Sequence, residues 1–307
     1  MKKTGKKQNR KNNWNQFAWH HVRAKVPSDW EITAYSVEDR VGRIEFNTRH
    51  GLQATVSWEP CKREPDRLTT MTAFIVNNIL GKSNARNLRS TDISTETFSN
   101  FLLGWLDDET PCQAMAYNPE SNHLIRWIFE GYSDRTGRTD TIYPILESFD
   151  FNDDEDLCEY NLHGIHCKLP WDYKIEDIIV LPANVMMNFE SELTKRKTVF
   201  RRWGMASMIF DGRELTDFYR PILRSHSIII DNAKPCRVNG HDARRILFNA
   251  PREHHSERFM RRRWHNGIAL IWHNTDTNRI YTAEQIGPDN TPELDFSVTL
   301  PGISIQN

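Results

Sequence analysis

The chain has 307 residues, 38% of them hydrophobic, and its 40 Lys and Arg stand against 41 Asp and Glu for a formal net charge of −1. That length and apolar content suit one or two ordinary cores and exclude a disordered or fibrous chain. The near-zero charge excludes a whole-molecule field that would draw in nucleic acid or an anionic membrane, so such a partner needs a local patch.

In chain order the first feature is basic. Residues 1–15 read as a flexible tail carrying Lys2, Lys3, Lys6, Lys7, Arg10 and Lys11. The tail lacks the apolar stretch of about 7–15 residues that a secretory signal needs, and no apolar run of about 18 residues occurs anywhere, so a soluble cytoplasmic protein without a membrane span is expected. Five cysteines at 61, 112, 158, 167 and 236 are odd in number and form no CxxC pair, which fits reduced thiols. Trp14, Phe17 and Trp19 follow the tail and either cap the first sheet or dock on a neighbour.

The next feature is a repeat. Ala24-Lys-Val-Pro-Ser-Asp-Trp-Glu-Ile32 aligns with Cys167-Lys-Leu-Pro-Trp-Asp-Tyr-Lys-Ile175 at an offset of 143, which also pairs His20 with His163 and Phe46 with Phe189. Residues 158–167, CEYNLHGIHC, hold two Cys and two His and raise the question of zinc. In the register of the repeat, Val22, Ala24 and Val26 match Ile165, Cys167 and Leu169, the apolar face of one strand. Cys167 then faces the core and His166 the other side, a poor start for a tetrahedral site. No metal and no cofactor is expected.

Beyond that strand both halves run through the same series. Strands are expected at Gly42–Thr48 and Leu52–Trp58, and at Val185–Ser191 and Thr198–Ala206. A helix follows in each. The first places Leu68, Met71, Ile75, Ile79 and Leu80 on one stripe after Pro65, and the second uses Leu215, Phe218, Tyr219, Ile222 and Leu223 with a kink or early end at Pro221. Each half then returns through Phe101–Leu106, Gln113–Tyr117 and His123–Gly131, or through Ala243–Phe248, Ile268–Trp272 and Arg279–Gln285. Asn118–Asn122 and Asn274–Asn278 suit turns, because Asn tolerates the left-handed region and bonds its own backbone. A helix over Thr139–Phe149, capped by Thr139, turns Ile142, Ile145, Leu146 and Phe149 inward.

The expected fold is α+β: two tandem α/β sandwich repeats, each a mainly antiparallel sheet packed on helices. Residues 16–150 form the first repeat and 161–290 the second, joined by an acidic linker at 151–160 and followed by a tail at 291–307, read as a shortened helix or an extended segment. The starts Val26-Pro27-Ser28-Asp29-Trp30 and Leu169-Pro170-Trp171-Asp172-Tyr173, with the order of elements, resemble the PsbP/DcrB-like α/β sandwich. The resemblance implies a non-enzymatic accessory subunit or chaperone-like adaptor. The chain departs from that pattern in its tandem arrangement, its unclear last helix and the missing signal or lipid anchor.

Chemical motifs are sparse. Gly81-Lys82-Ser83 lacks the upstream glycine of a phosphate loop, since position 76 is Val76. His254-His255 with Glu253 and Glu257 offers metal ligands or a base, but among arginines that disfavour a cation. Asp153-Asp154-Glu155-Asp156 lacks the spacing of a calcium loop.

The charge distribution is the sharper signal. Where the first half has the short connection Asp107–Pro111, the second runs from 249 to 266 as a basic insertion carrying Arg252, Arg258, Phe259, Arg261, Arg262, Arg263 and Trp264. Arginine forks suit carboxylate or phosphate, and the aromatic side chains fill a partner's pocket or stack on bases. Alternatively, Phe259 and Trp264 pack on the sheet while the arginines stay in water. Lys195-Arg196-Lys197 and Arg201-Arg202 enlarge the surface in the functional reading, and a solvated strand end explains them equally well.

Three readings follow. The leading one is a non-catalytic adaptor or chaperone-like assembly protein whose basic insertion grips another protein's acidic surface. The alternative is a nucleic-acid-binding accessory factor using the same arginines. The third is an enzyme with a site between the repeats, using His241, Asp242 or the His254-His255 pair.

Overall fold

The computed structural model describes residues 14–38, 40–78, 88–95, 100–107, 110–151, 156–210, 212–225, 229–238, 240–251, 264–287 and 305–306. The chain divides into two compact units, Met1–Asp153 and Asp154–Asn307.

The first unit starts with a hairpin. Strands β1 (Trp14–His20) and β2 (Val22–Pro27) pair with Trp19 opposite Val22, and His20 takes the left-handed conformation in the tight turn, at φ 57°. Alternation buries Val22, Ala24 and Val26, and Phe17 and Trp19 join them. A meander follows through β3 (Glu31–Glu38), β4 (Val41–Thr48) and β5 (Gly51–Pro60). Helix α1 (Arg67–Asn78) leads to β6 (Arg89–Ile93), β7 (Phe101–Trp105), β8 (Cys112–Asn118) and β9 (His123–Phe129). Strand β9 pairs with β5, giving the order β3-β4-β5-β9-β8-β7-β6. A short α2 (Arg135–Gly137), a π-helical turn (Arg138–Ile142), α3 (Tyr143–Glu147) and β10 (Asp150–Phe151) complete the unit, with β10 paired to β2.

Both faces of this sheet are covered, which is why β8 is buried at every position. On one face, Met71 and Ile75 of α1 pack with Met115 and Leu124. Asp66 caps that helix by accepting the Thr69 N–H at 3.0 Å. On the other face Trp127 stacks on Phe46 and Phe129 with centroids at 5.8 and 5.3 Å, and Phe149 meets it edge-on.

The second unit takes the same path. Strands β11 (Leu157–Leu162) and β12 (Ile165–Pro170) close through His163 and Gly164 at φ 49° and 77°, the two left-handed residues of a type I′ turn. Then come β13 (Tyr173–Leu181), β14 (Asn184–Ser191), β15 (Lys197–Trp203), the short α4 (Ala206–Ile209) and α5 (Leu215–Ser225). The return uses β16 (Ile229–Val238), β17 (His241–Pro251), β18 (Trp264–Asn274), β19 (Arg279–Gly287) and β20 (Ile305–Gln306). The order β13-β14-β15-β19-β18-β17-β16-β20 repeats that of the first sheet with one strand added at the β16 side. Edge strands β3 and β13 bulge at matching places, between Ile32 and Ala34 and between Ile175 and Asp177.

The expectation of an α+β fold, sheets packed on helices, is overturned. Strands make up 60% of the described residues and helices 16%, so the chain is mostly β, with large antiparallel sheets. The missed elements explain the error. Strands β1, β3, β6, β13 and β16 lie at edges or in hairpins, and β3, for example, leaves most of its side chains exposed, so its residues show no period-two alternation to detect.

Several boundaries move for related reasons. The helix expected at Thr139–Phe149 starts at Arg135 under an Asp134 cap, and the Thr139 hydroxyl donates back to the Arg135 carbonyl at 2.9 Å instead of capping. Ile142, Ile145, Leu146 and Phe149 are buried. Helix α5 continues past Pro221 to Ser225, and Leu68 in α1 is half exposed. Much of the expected linker at 151–160 is strand, Phe151 in β10 and Leu157 onward in β11. In the C-terminal segment, Ile305–Gln306 pairs with β16, while 288–304 lie outside the described residues, as do 1–13 of the basic tail.

Candidate partner-binding surface

The turns that set the strand ends are the ones the paired asparagines anticipate. Asn118 Oδ1 accepts the Glu120 and Ser121 N–H groups and Asn122 is left-handed at φ 57°. In the second unit Asn274 Oδ1 accepts the Thr277 N–H and Asn278 sits at φ 52°. The Asn122 and Asn278 carbonyls then accept the Cys61 and Ala206 N–H groups, fastening each turn to the chain leaving β5 or β15.

At the opposite end of the second sheet, β17 and β18 stay paired out to Pro251 and Trp264. The basic insertion read at 249–266 therefore narrows, because Asn249–Pro251 and Trp264–Asn266 are strand. Arg252, Arg258, Phe259, Arg261, Arg262 and Arg263 lie outside the described residues, as do His254 and His255, while Trp264 opens β18.

Register shows what shares that end. Asn266 is opposite Gly287, and Ile286 is opposite Lys197, so the start of β15 lies beside the insertion's anchor. The connection before it is tightly held. Ser191 Oγ accepts the Thr194 N–H at 2.9 Å and donates to the Asp172 carboxylate, and Ser191 N–H donates to the Arg196 carbonyl at 2.9 Å. A Cβ on Gly287 would sit 2.9 Å from Arg196 Cγ, so the arginine stem lies over that glycine. Lys197 approaches Glu190 at 3.7 Å, and Lys195, left-handed and exposed, has no ion pair among the described residues.

Arg201 and Arg202 do not enlarge this surface. They lie further along β15 and point to opposite faces. Arg201 is 14% exposed and lies 3.2 Å from Glu284, itself 4% exposed, on the face packed under α5. The two atoms are close without hydrogen-bond alignment, so the attraction is ionic. Tyr219 of α5 is buried there, and burial, with Glu284 beside it, pushes its hydroxyl well above the usual tyrosine range. Arg202 lies on the hairpin face, near Arg279.

Of the residues named for an enzyme, His254 and His255 lie outside the described residues. His241 and Asp242 begin the eleven-residue strand β17, whose far end carries the insertion, a separation on the order of 30 Å. Asp242 lies 3.8 Å from Arg237, both well exposed. For CEYNLHGIHC, Cys158 and Cys167 are buried on the core face, whereas His166 bonds Glu159 at 2.6 Å on the other. Burial raises the Cys167 thiol well above its usual range, the opposite of a ligand poised to ionise. Gly81-Lys82-Ser83 lies outside the described residues.

Trp14 begins β1. Phe17 and Trp19 pack within the first unit, against Phe46 and Tyr35 at 5.0 and 4.6 Å. Among the described residues no helix is long and apolar enough to cross a membrane. Neither a scan against protein-family models nor a search of curated proteins finds a match to the chain.

Proposed function

We infer that the chain is a non-catalytic assembly or adaptor protein, built from a duplicated module, whose second unit grips an acidic protein surface through its arginine-rich connection. The observation that carries this reading is positional. The connection 252–263, with its five arginines, springs from the paired ends of β17 and β18, at the end of the sheet where the held turn presents Lys195 and Arg196. A charged loop on a rigid sheet is the common design of a recognition site. Duplication is supported by the matching strand orders and by edge bulges 143 residues apart, at Thr33 and Glu176. A cytoplasmic setting is supported by five free cysteines.

The test is capture of partners by the tagged chain, with and without nuclease, beside the variant with Arg258, Arg261, Arg262 and Arg263 replaced by Ala. A protein that survives nuclease, is lost in the variant and binds the purified chain directly supports the reading. Material that vanishes with nuclease replaces it with the nucleic-acid reading. Unchanged capture by the variant contradicts the site.

A further inference from the structure

Corresponding positions of the two sheets carry opposite chemistry. In the first unit Trp58 is opposite Ile125, and His123 is opposite Asn118, the first residue of the turn. In the second, Arg202 is opposite Tyr281, and Arg279 is opposite Asn274, again the first residue of the turn. Arg202 thus stands where Trp58 stands, and Arg279 where His123 stands.

The first unit fills this position with rings. Phe151 lies between Trp58 and His123, with centroids at 6.5 and 5.0 Å, and His123 is buried with its two ring nitrogens 2.9 and 3.2 Å from the Ser121 and Arg40 carbonyls. The second unit instead directs two guanidinium groups at the turn of its hairpin. A Cβ on Gly164 would sit 2.8 Å from Arg279 Nη1 and 3.4 Å from Arg202 Nη1, so both tips converge on one point above that glycine. Gly164 is required twice, for its φ of 77° and for the room its missing side chain leaves.

Neither arginine has an ion pair or hydrogen bond among the described residues, and Arg202 Nε is sealed from solvent without an acceptor. Burial first, and then the charge of Arg279, lower the Arg202 pKa, and of the groups it senses only the Tyr281 hydroxyl works the other way. Two partly buried like charges at one point are unfavourable alone, and an oxyanion reverses the sign of that interaction. Guanidinium forks match tetrahedral oxyanions, with two donors offered from each side.

The geometry points to a phosphate-binding site formed by Arg202 and Arg279 over the His163-Gly164 turn, taking free phosphate or the phosphoryl end of a small monoester. It lies at the end of the sheet remote from the arginine-rich connection, so it is independent of the partner-binding reading.

Isothermal titration of the full chain with inorganic phosphate and with phenyl phosphate, ionic strength held constant with chloride, tests it. Wild type is expected to bind at least one of them, and Arg279→Gln and Arg202→Gln each to weaken that binding tenfold or more. Equal affinity for the two identifies free phosphate as sufficient, and tighter phenyl phosphate identifies a monoester. Arg279→Gln is also expected to melt no lower than wild type in phosphate-free buffer, because it removes a like charge, which separates lost binding from lost folding. Failure of wild type to bind either probe, or undiminished binding by the folded Arg279→Gln chain, overturns the site.

Discussion

The two units follow one strand order but spend the same positions differently. Where unit one places Trp58 and His123 around Phe151, unit two places Arg202 and Arg279 with no anionic partner among its described residues. Under the helices the contrast is subtler. Ser57 is opposite Arg126 in the first sheet, and Arg201 is opposite Thr282 in the second, so one matching rung carries one arginine in each unit, on opposite strands. Arg126 lies under the Phe74 ring at 4.5 Å and 3.7 Å from the exposed Glu59, whereas Arg201 has a buried carboxylate. The backbone path tolerates an arginine on either strand of that rung. What differs is how its charge is compensated, and that fixes how much each unit depends on it.

The largest expected effect follows from this difference. Glu284→Ala leaves Arg201 buried and unpaired and should cost about 3–5 kcal/mol in urea unfolding, while Glu59→Ala, a mostly exposed partner, should cost at most about 1 kcal/mol. Equal losses would break the comparison. Next come two glycines that face rings across a strand pair. A Cβ on Gly42 would meet Trp58 at 2.0 Å, and one on Gly267 would meet Phe248 at 2.1 Å. Each Gly→Ala change should cost about 1–3 kcal/mol, similar in the two units, because both rings sit in closed packing.

A third effect is a pH dependence, carried in the first unit by His20. Burial, and after it His21, lower the His20 pKa from 6.5 to about 3. The unfolded chain binds this proton between pH 6.5 and 3 and the folded chain does not, so stability falls on acidification through that window. The slope is at most about 1.4 kcal/mol per pH unit. His20→Asn, which keeps a side chain tolerant of the left-handed conformation, should flatten the stability profile measured from pH 7 to 4.

Much of the strand series was legible from residues. The Asn118–Asn122 and Asn274–Asn278 turns, the apolar faces of β2 and β12, and the cores of β4, β5, β8, β9, β14, β18 and β19 carry short-range signals in alternation and turn chemistry. The edge strands β3, β6 and β13 do not, because most of their side chains are exposed or only partly buried on both faces. That loss made a mostly β chain read as α+β. The arginine pair was also hidden. Arg202 read as part of a basic run with Arg201, although adjacent strand residues point to opposite faces, and Arg279 is 77 residues away in the chain, brought near only by the β15–β19 pairing. The offset of 156 that joins His123 to Arg279 was the signal available for finding it.

The most direct test of the account replaces 252–263 by the first unit's equivalent connection, Leu106–Pro111, and measures both thermal unfolding and nuclease-resistant partner capture. The account predicts an unchanged unfolding transition and loss of the partner, because β17 and β18 remain paired without the insertion. A chain that still folds and still holds its partner would contradict it.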